Sequence, residues 1–495
     1  MNQVTTPQSR CRAAVVRCDI TPPVGIYHRM WGAALHDKAT GIHRPLTATL
    51  LWLAASEDHP KTDGETSSQS ADQIIVSMDH CILDTPELDS IRASIAAATG
   101  VPVNAIHVTV THTHGSGWMS RKRREFPGGD LIGPYLDSLF PRLGELAVSA
   151  KSILEPATIV YGQGRCSLAA HRDFYDEAKG HAVCGFNPAG AADDTVLIGR
   201  VSALCGSTLA TIVNYACHPT TLAWDNTLLS PDWIGAMRET VEQHAGGLCI
   251  FLQGASGDLG PREGFVGDTA VADRNGRQLG YAVLSALEEM PQAGTDYVYA
   301  GPTLSGTWIG TWQHRPCSES ATVAHTTWAW HTMIASLPYR HDLPTLEETT
   351  QNRERWLGEE QKAQATGDVA RIRECRANGE QMTRQLTRLN ALAPGKLCPV
   401  PVTIAQVGDG LWIFVPGELY QIFQQTLRAR FAPRPVFVVT LTGDWQPGYI
   451  PPASTFGYGI YQEVIAATSA GSLELLIEDI SRSVREKIAV VRSEL

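Results

Sequence analysis

The stretch QIIVSMDHCILDTPELDSIRASIAAATGVPVNAIHVTVT, residues Gln73–Thr111, decides the fold class. It starts with an apolar run over Gln73–Asp79, continues with a helix-like segment over Thr85–Thr99, and ends with a second apolar run over Ala105–Thr111. Short apolar runs rich in β-branched residues are typical of buried strands. A strand, a helix and another strand in this order indicate an α/β domain.

The same alternation extends through the first half of the chain and returns after Pro394. Further strands are predicted over Leu46–Leu53, Thr158–Gly162, Val196–Ala203, Thr208–Ala216, Leu248–Gln253, Pro401–Val407, Leu411–Val415 and Val436–Leu441. Further helices are predicted over Pro134–Leu154, Asp232–Gln243, Glu418–Phe431 and Ser472–Val490. This pattern predicts an α/β fold with a mixed sheet and flanking helices.

Residues 346–392 differ in character from the rest of the chain, because they are charged, helix-favouring and free of proline. A break at Gly367–Asp368 predicts two antiparallel helices, which we place in an insert over residues 320–395. A solvated helical hairpin is the simplest interpretation, and a lid or a dimer contact remains open. We expect one large domain over residues 1–495 that contains this insert. The acidic, Ser-rich segment Glu57–Asp72 is expected to be an exposed loop or the tip of a hairpin.

Composition narrows the class of protein. The 495 residues are 43% hydrophobic and carry a net charge of −11, so the chain is globular and a uniformly basic nucleic-acid binder is not expected. The basic run Arg121–Arg124 (RKRR) is interpreted as a solvated loop. Eleven cysteines without a CxxC pair, and an N-terminus without a signal peptide, predict a reducing, cytoplasmic location. No apolar run is long enough to predict a transmembrane segment.

The strongest functional pattern is AIHVTVTHTHGSGW, residues Ala105–Trp118. Strand alternation places His112 and His114 on the same face as the apolar residues before them, at the point where glycines end the strand. Two imidazoles at a strand end suit a metal site or an acid–base pair, although hydrogen bonding to core groups is an alternative.

Two further motifs repeat the arrangement of an apolar strand followed by Gly or Pro and a polar residue. In TIVNYACHPTTL the strand ends at His218, with Pro219 after it. In LCIFLQGASGDLGPR the strand enters a glycine-rich loop in which Asp258 could position a water or an imidazole. This loop matches neither a phosphate-binding P-loop nor the GxSxG nucleophile motif.

The last two motifs are LWIFVPGELYQIF and VVTLTGDWQPGYIPP. Glu418 is predicted in the first turn of a helix, where the helix dipole favours a carboxylate, and Tyr449 is either a packing aromatic or a site residue. Five strands thus end beside residues that can bind metal or move protons, and ligands bind at the carboxyl ends of strands in open α/β sheets. Two histidines, one carboxylate and an open position are the ligand set of a hydrolytic zinc site.

In this order the motifs resemble the catalytic domain of the neutral ceramidase superfamily. The resemblance begins near Arg17–Gly25, is sharpest at THTHGSG, NYACHPT, QGASGDLGP, VPGEL and GDWQPGYIPP, and covers most of the chain outside the insert. It implies zinc as the cofactor and four metal ligands, which are His112, His218, Glu418 and Tyr449. It also implies that His114 contacts the substrate or its oxyanion, and that Arg172 in AAHRDF lies near the scissile group.

The chain departs from the family pattern at Gly260, where the family's GDVSP-like loop carries a serine proposed as nucleophile. We therefore favour a metal-activated water as the nucleophile, with His114 and Arg172 stabilising the oxyanion and Asp258 or His114 moving protons. The family's trailing immunoglobulin-like domain is not expected after Tyr449, and secretion is not expected either.

The predicted function is zinc-dependent hydrolysis of an N-acyl amide bond in a small molecule. The same scaffold could instead cleave an ester, a cyclic amide or a glycoside, or could bind a ligand without catalysis. No nucleic-acid partner is expected, and a homodimer through the helical insert remains open.

Overall fold

The structure is a computed structural model that describes residues 2–58 and 72–488. The segment predicted as an acidic loop, Glu57–Asp72, lies almost entirely outside these ranges, as do the last two residues of the predicted helix Ser472–Val490. The described strands form two main sheets, with helices on their outer faces.

The larger sheet has eight strands. They are β1 Gln8–Asp19, β2 Thr47–Ala55, β3 Asp72–Met78, β4 Ile106–Val110, β5 Glu155–Arg165, β6 Thr195–Ala203, β7 Thr208–Tyr215 and β8 Leu248–Gln253. Their order across the sheet is β8-β7-β6-β5-β1-β2-β3-β4. The β7–β8 and β3–β4 pairs are parallel and the other pairs are antiparallel, which confirms the mixed sheet. Strand β1 was not predicted, because arginines interrupt its apolar pattern.

The smaller sheet has four strands in the order β9 Trp328–Pro338, β10 Leu397–Val407, β11 Gly410–Phe414 and β12 Val436–Val439. Only the β11–β12 pair is parallel. Strand β9 lies inside residues 320–395 and pairs with β10 along its whole length. The first part of the predicted helical insert is therefore a strand of the core. A separate exposed hairpin joins Thr295–Leu304 to Trp308–Pro316.

Ten α-helices are described, and α1 matches its predicted bounds. They are α1 Thr85–Thr99, α2 Ile132–Ser152, α3 Trp233–Ala245, α4 Thr269–Glu289, α5 Glu319–Ala324, α6 Leu346–Thr366, α7 Val369–Ala391, α8 Gln421–Phe431, α9 Tyr461–Ile465 and α10 Ser472–Ser483. No helix in the described ranges combines the length and apolar character needed to cross a bilayer.

Helix α8 corrects the prediction for Glu418. The helix begins at Gln421, and Glu418–Leu419 instead forms a short strand that pairs in parallel with Tyr449–Ile450. Gly417 adopts a φ of 79° and Tyr420 is extended, so the backbone before α8 is not helical. The helix dipole is therefore not what stabilises the Glu418 carboxylate.

The two sheets pack face to face, and period-two alternation buries both faces of the larger one. In β2, Leu51 and Leu53 belong to the core between the sheets, where they join Trp330 and Trp412 of the smaller sheet. Leu50 and Trp52 point the other way, into the core under α1 and α2. Each such side chain contributes about 1.5–3 kcal/mol by leaving water. Helices α8 and α10 cover the outer face of the smaller sheet, which gives four layers.

The segment that follows β12 joins the two edge strands of the larger sheet. The Thr440 amide donates to the carbonyl of Gln253 at the end of β8, over 2.9 Å, and the Gly443 amide donates to Val108 in β4, over 2.8 Å. The loops that follow β4, β7, β8, β11 and β12 are thereby brought together at the carboxyl ends of these strands.

Helices α6 and α7 form the predicted antiparallel hairpin. Thr345 and Glu348 make a capping box at the start of α6, Gly367 ends it in the left-handed region, and Asp368 caps α7. The hairpin docks on its own chain, because Arg123 of the body pairs with Glu380 of α7 in a buried contact of 3.1 Å.

Candidate metal centre

His112 lies just beyond β4, and its backbone leaves the extended conformation. The strand ends at Val110 and His112 has a φ of 67°, so the predicted alternation is wrong beyond Val110. The His112 amide donates to the carbonyl of His80, which fixes this uncommon left-handed geometry. The imidazole is buried, with Nδ1 2.9 Å from the carbonyl oxygen of Cys81 and Nε2 3.3 Å from Oε2 of Glu418.

His218 follows β7 and approaches the same carboxylate from the other edge of the sheet. Its Nδ1 lies 2.7 Å from the carbonyl oxygen of Ser256, in the glycine-rich loop after β8. Its Nε2 lies 2.9 Å from Oε2 of Glu418. Both histidines thus present Nε2 to one carboxylate oxygen and Nδ1 to a backbone carbonyl.

Tyr449 lies beside His112, His218 and Glu418, because its strand pairs directly with that of Glu418. These four residues are called the cluster below. The register places Glu418 opposite Tyr449, and the Tyr449 hydroxyl lies 3.3 Å from Nε2 of His218. Arg172 donates from Nη2 to the same hydroxyl over 2.9 Å, and from Nε and Nη2 to the carbonyl of Gly257. The four residues predicted as metal ligands therefore lie together, with Arg172 fixing the phenol.

The hydrogen bonds show that this donor set fits a cation. A carbonyl only accepts, so each histidine donates its Nδ1 proton to a carbonyl and keeps a lone pair on Nε2. Both lone pairs face an acceptor oxygen of Glu418. One nitrogen or oxygen atom of each of these three residues, His112, His218 and Glu418, lies within 4.8 Å of the other two. Such a group repels itself unless a proton or a metal ion lies between its members. Imidazoles held by backbone carbonyls are the usual arrangement around protein-bound zinc.

The electrostatics of the cluster agree with this conclusion. Burial disfavours a charge on His112, but Cys81 and Glu418 outweigh it and raise the pKa of His112 well above its usual value. Burial and Arg172 lower the pKa of His218 to about 4. Burial opposes the charge of Glu418, yet His112 and His218 hold the pKa of that carboxyl well below 4.5. These shifts show that a positive charge between the imidazoles and the carboxylate is favoured there, as a proton or as a cation.

His114 is not among the residues whose ring nitrogens face the Glu418 carboxylate. Both of its ring nitrogens are buried and have no hydrogen-bond partner in the described ranges. Its ring centre lies 5.0 Å from that of His112 and 4.9 Å from that of Trp31. Burial and the neighbouring His112 lower the pKa of His114 well below its usual value. It is therefore a neutral imidazole with a free donor beside the cluster.

Asp258 makes its contacts outside the cluster. Its carboxylate accepts from the backbone and side-chain nitrogens of Gln421, over 2.8 Å each, and lies 3.6 Å from Nε2 of His171. Burial raises the pKa of Asp258 to about 6. These contacts hold the start of α8, and the role of Asp258 in proton transfer stays a prediction.

Sequence reasoning missed the groups that orient the histidines, because they are backbone atoms. The carbonyls of Cys81 and Ser256 show no side-chain signature, although both follow strands that were predicted. The Cys81 thiol lies 3.6 Å from Nδ1 of His112, which gives a second group of three potential ligands with His114. That group is less suited to a metal, because Nδ1 already binds the Cys81 carbonyl.

The basic run Arg121–Arg124 is not a free cationic surface. Each of its four residues contacts a carboxylate: Arg121 with Asp137, Lys122 with Asp84, Arg123 with Glu380 and Arg124 with Glu125. Arg123 is buried, contrary to the interpretation of this run as a solvated loop.

Among solved structures, the chain is similar to neutral ceramidase from Pseudomonas aeruginosa. The two share 15% identity with a TM-score of 0.61, over 98% of this chain and 75% of the other. A structure described as ceramidase complexed with C2 gives 14% identity and a TM-score of 0.61, over 97% and 76%. No protein-family model matches the chain, and no curated protein matches its sequence. The fold is ceramidase-like, which confirms at the level of the fold the resemblance seen in the motifs.

Proposed function

We propose that the chain is a zinc-dependent hydrolase of N-acyl amide bonds in small molecules. The observation that carries this proposal is the pair of buried Nε2 atoms, from His112 and His218, that face one oxygen of Glu418. The ceramidase-like fold and the free N–H group of His114 support the proposal. When bound there, zinc would polarise a carbonyl and acidify a water molecule.

The residues around the cluster suit the addition of water across a C–N bond. His112, His218, Glu418 and Tyr449 would hold the ion, and Arg172 would keep the Tyr449 phenol directed at it. The neutral imidazole of His114 has a free N–H to donate to the carbonyl oxygen as negative charge develops there. The water oxygen bonds to the acyl carbon and the C–N bond breaks, while a proton of that water passes to the departing nitrogen, with His114 or Asp258 as its carrier.

Metal analysis tests the first part of this proposal. Protein purified without chelator should contain about one zinc per chain, and Glu418→Gln should reduce that content, because an amide replaces the carboxylate at the centre of the cluster. Glu263→Gln changes an exposed carboxylate that pairs with Arg274 and should leave the zinc content unchanged. Transition metal far below one per chain, with no gain on reconstitution, would overturn the metal assignment.

A substrate panel tests the reaction. N-acyl amines, esters, cyclic amides and glycosides should be compared with the zinc-loaded protein, and N-acyl amides should be cleaved fastest. The Glu418→Gln variant should lose at least about 100-fold in kcat/KM, as expected when a metal ligand is removed. Cleavage of only another class of bond would show that the protein catalyses a different reaction. No cleavage of any substrate would favour a binding protein.

A further inference from the structure

Arg388, on helix α7 of the hairpin, is a buried guanidinium that pairs with no carboxylate in the described parts of the chain. It is 6% exposed, and the side-chain oxygen of Gln385 is its one described acceptor, which receives N–H groups from Nε and Nη2. Three other buried arginines contact carboxylates, which are Arg29 with Asp37, Arg123 with Glu380 and Arg238 with Asp79. The buried Arg172 instead donates to the Gly257 carbonyl and the Tyr449 hydroxyl. Arg388 therefore carries a buried positive charge that has no direct carboxylate partner among the described residues.

This guanidinium side chain lies beside the candidate metal centre. A Cβ added to Gly448 would lie 3.9 Å from Cδ of Arg388, and Gly448 directly precedes Tyr449. Burial lowers the pKa of Arg388 to about 10, and Tyr461, Glu418 and Tyr449 oppose this shift. Arg384 helps to hold the hairpin in this position, because it donates to the carbonyl of Met30 in the body, next to Trp31.

The free edge of Arg388 has the geometry of an anion-binding group. Gln385 takes up the Nε side of the guanidinium, which leaves the two hydrogens of Nη1 and one of Nη2 for another acceptor. Two parallel N–H groups match the two oxygens of a carboxylate. Glu380 already faces two guanidinium groups, those of Arg123 and Arg384, so it does not supply a counter-charge for Arg388. A buried charge without a partner destabilises a fold, so a ligand that supplies the opposite charge gains affinity.

We infer that Arg388 forms a subsite for a carboxylate, so that the ligands of this centre are acyl compounds that carry a carboxylate close to the acyl carbonyl. This inference rests on the proposed function for the reaction, but the binding of the carboxylate does not require turnover. In substrates of this class, the hairpin would supply the group that selects the charged end.

Binding of a matched pair of ligands tests the subsite. The probes are an analogue of N-hexanoylglycine in which a methylene replaces the amide nitrogen, so that it cannot be hydrolysed, and the primary carboxamide of that analogue. Titration calorimetry with the zinc-loaded full chain should show that the carboxylate binds about 10- to 100-fold more tightly than the carboxamide. Arg388→Met, which removes the charge and keeps much of the volume, should reduce this ratio to about 1.

Two controls separate recognition from a structural role. Arg355→Met removes an exposed charge from the same hairpin and should keep the wild-type ratio. Without ligand, Arg388→Met should unfold at the same temperature as the wild type or higher, because an unpaired buried charge has been removed. A wild-type ratio near 1, an unchanged ratio in Arg388→Met, or a melting temperature lowered by more than about 3 °C would overturn the subsite.

The outcomes also distinguish the subsite from the hydrolase proposal. Arg388-dependent selection of the carboxylate together with no turnover of any N-acyl substrate would retain the subsite and refute the hydrolase. Equal hydrolysis of N-hexanoylglycine and N-hexanoylglycinamide by the wild type would retain the hydrolase and refute the subsite.

Discussion

Replacing Glu380 with glutamine should loosen the hairpin from the body of the protein. Glu380 is buried between Arg123 and Arg384, whose nitrogens lie 3.1 Å and 2.8 Å from its Oε1. Burial opposes the charge of this carboxyl, but Arg123, Arg384 and Arg29 outweigh it and lower its pKa to about 2. Glutamine keeps the size of the side chain and leaves the buried guanidinium groups without their counter-charge.

The size of the effect follows from that pKa. The difference between the usual value of 4.5 and about 2 corresponds to about 3 kcal/mol of stability at neutral pH. The breaking of a buried ion pair by removal of one partner gives a similar figure, about 3–5 kcal/mol. Because the folded-state pKa of Glu380 is lowered, this stability is fully present above pH 4.5 and is lost as the pH falls from about 4.5 towards about 2. At pH 3 about 1 kcal/mol should remain.

Hydrogen exchange measures this stability at the hairpin itself. Amides of α7 should exchange at least about 100-fold faster in Glu380→Gln than in the wild type at pH 7, and this difference should shrink at pH 3 after correction for intrinsic rates. Glu374→Gln on the same helix removes an exposed partner of Arg371 and should change exchange less than about 3-fold. A change below about 3-fold in Glu380→Gln, or one that does not shrink in acid, would refute the electrostatic docking of the hairpin.

Three further predictions concern the core and the metal. Gly257→Ala should destabilise the fold by about 2 kcal/mol in urea unfolding, since the added Cβ would lie 2.8 Å from the carbonyl oxygen of Leu419. Gly260→Ala should destabilise it by less than about 1 kcal/mol, because the atom nearest to its added Cβ lies 3.7 Å away. Equal losses of stability in the two variants would contradict this reasoning. Asp79→Asn should cost about 3–5 kcal/mol in the same assay by leaving Arg238 buried and unpaired, and the cost should diminish in acid, because the pKa of Asp79 is lowered below 3.8. Chelation should lower the melting temperature and added zinc should restore it, and an unchanged temperature would argue against a bound metal.

Much of the fold can be predicted from the sequence because strand and helix signals are local. Thr85–Thr99 was predicted with its observed bounds, since its apolar spacing and flanking residues depend on neighbours within a few positions. Strands β1 and β9 were missed for the opposite reason. Their mixed patterns become strands only because β1 pairs with β2 and β5, and β9 pairs with β10.

The five motifs named the residues of the candidate centre, but the sequence could not give their arrangement. Local reasoning placed Glu418 on a helix and His112 on a strand, and the structure shows neither. The positions of these side chains depend on backbone carbonyls and on the pairing of Glu418 with Tyr449, which are 31 residues apart in the chain.

The hairpin shows the same division between local and tertiary information. The local sequence predicts its two helices and the break at Gly367–Asp368, because charge, helix propensity and caps act over a few residues. Which groups of the body face its charges depends on the surface that the hairpin meets. Docking on the body gives Glu380 a second guanidinium partner, Arg123, and leaves Arg388 without a carboxylate beside Tyr449, because packing across the fold decides which charges become buried together.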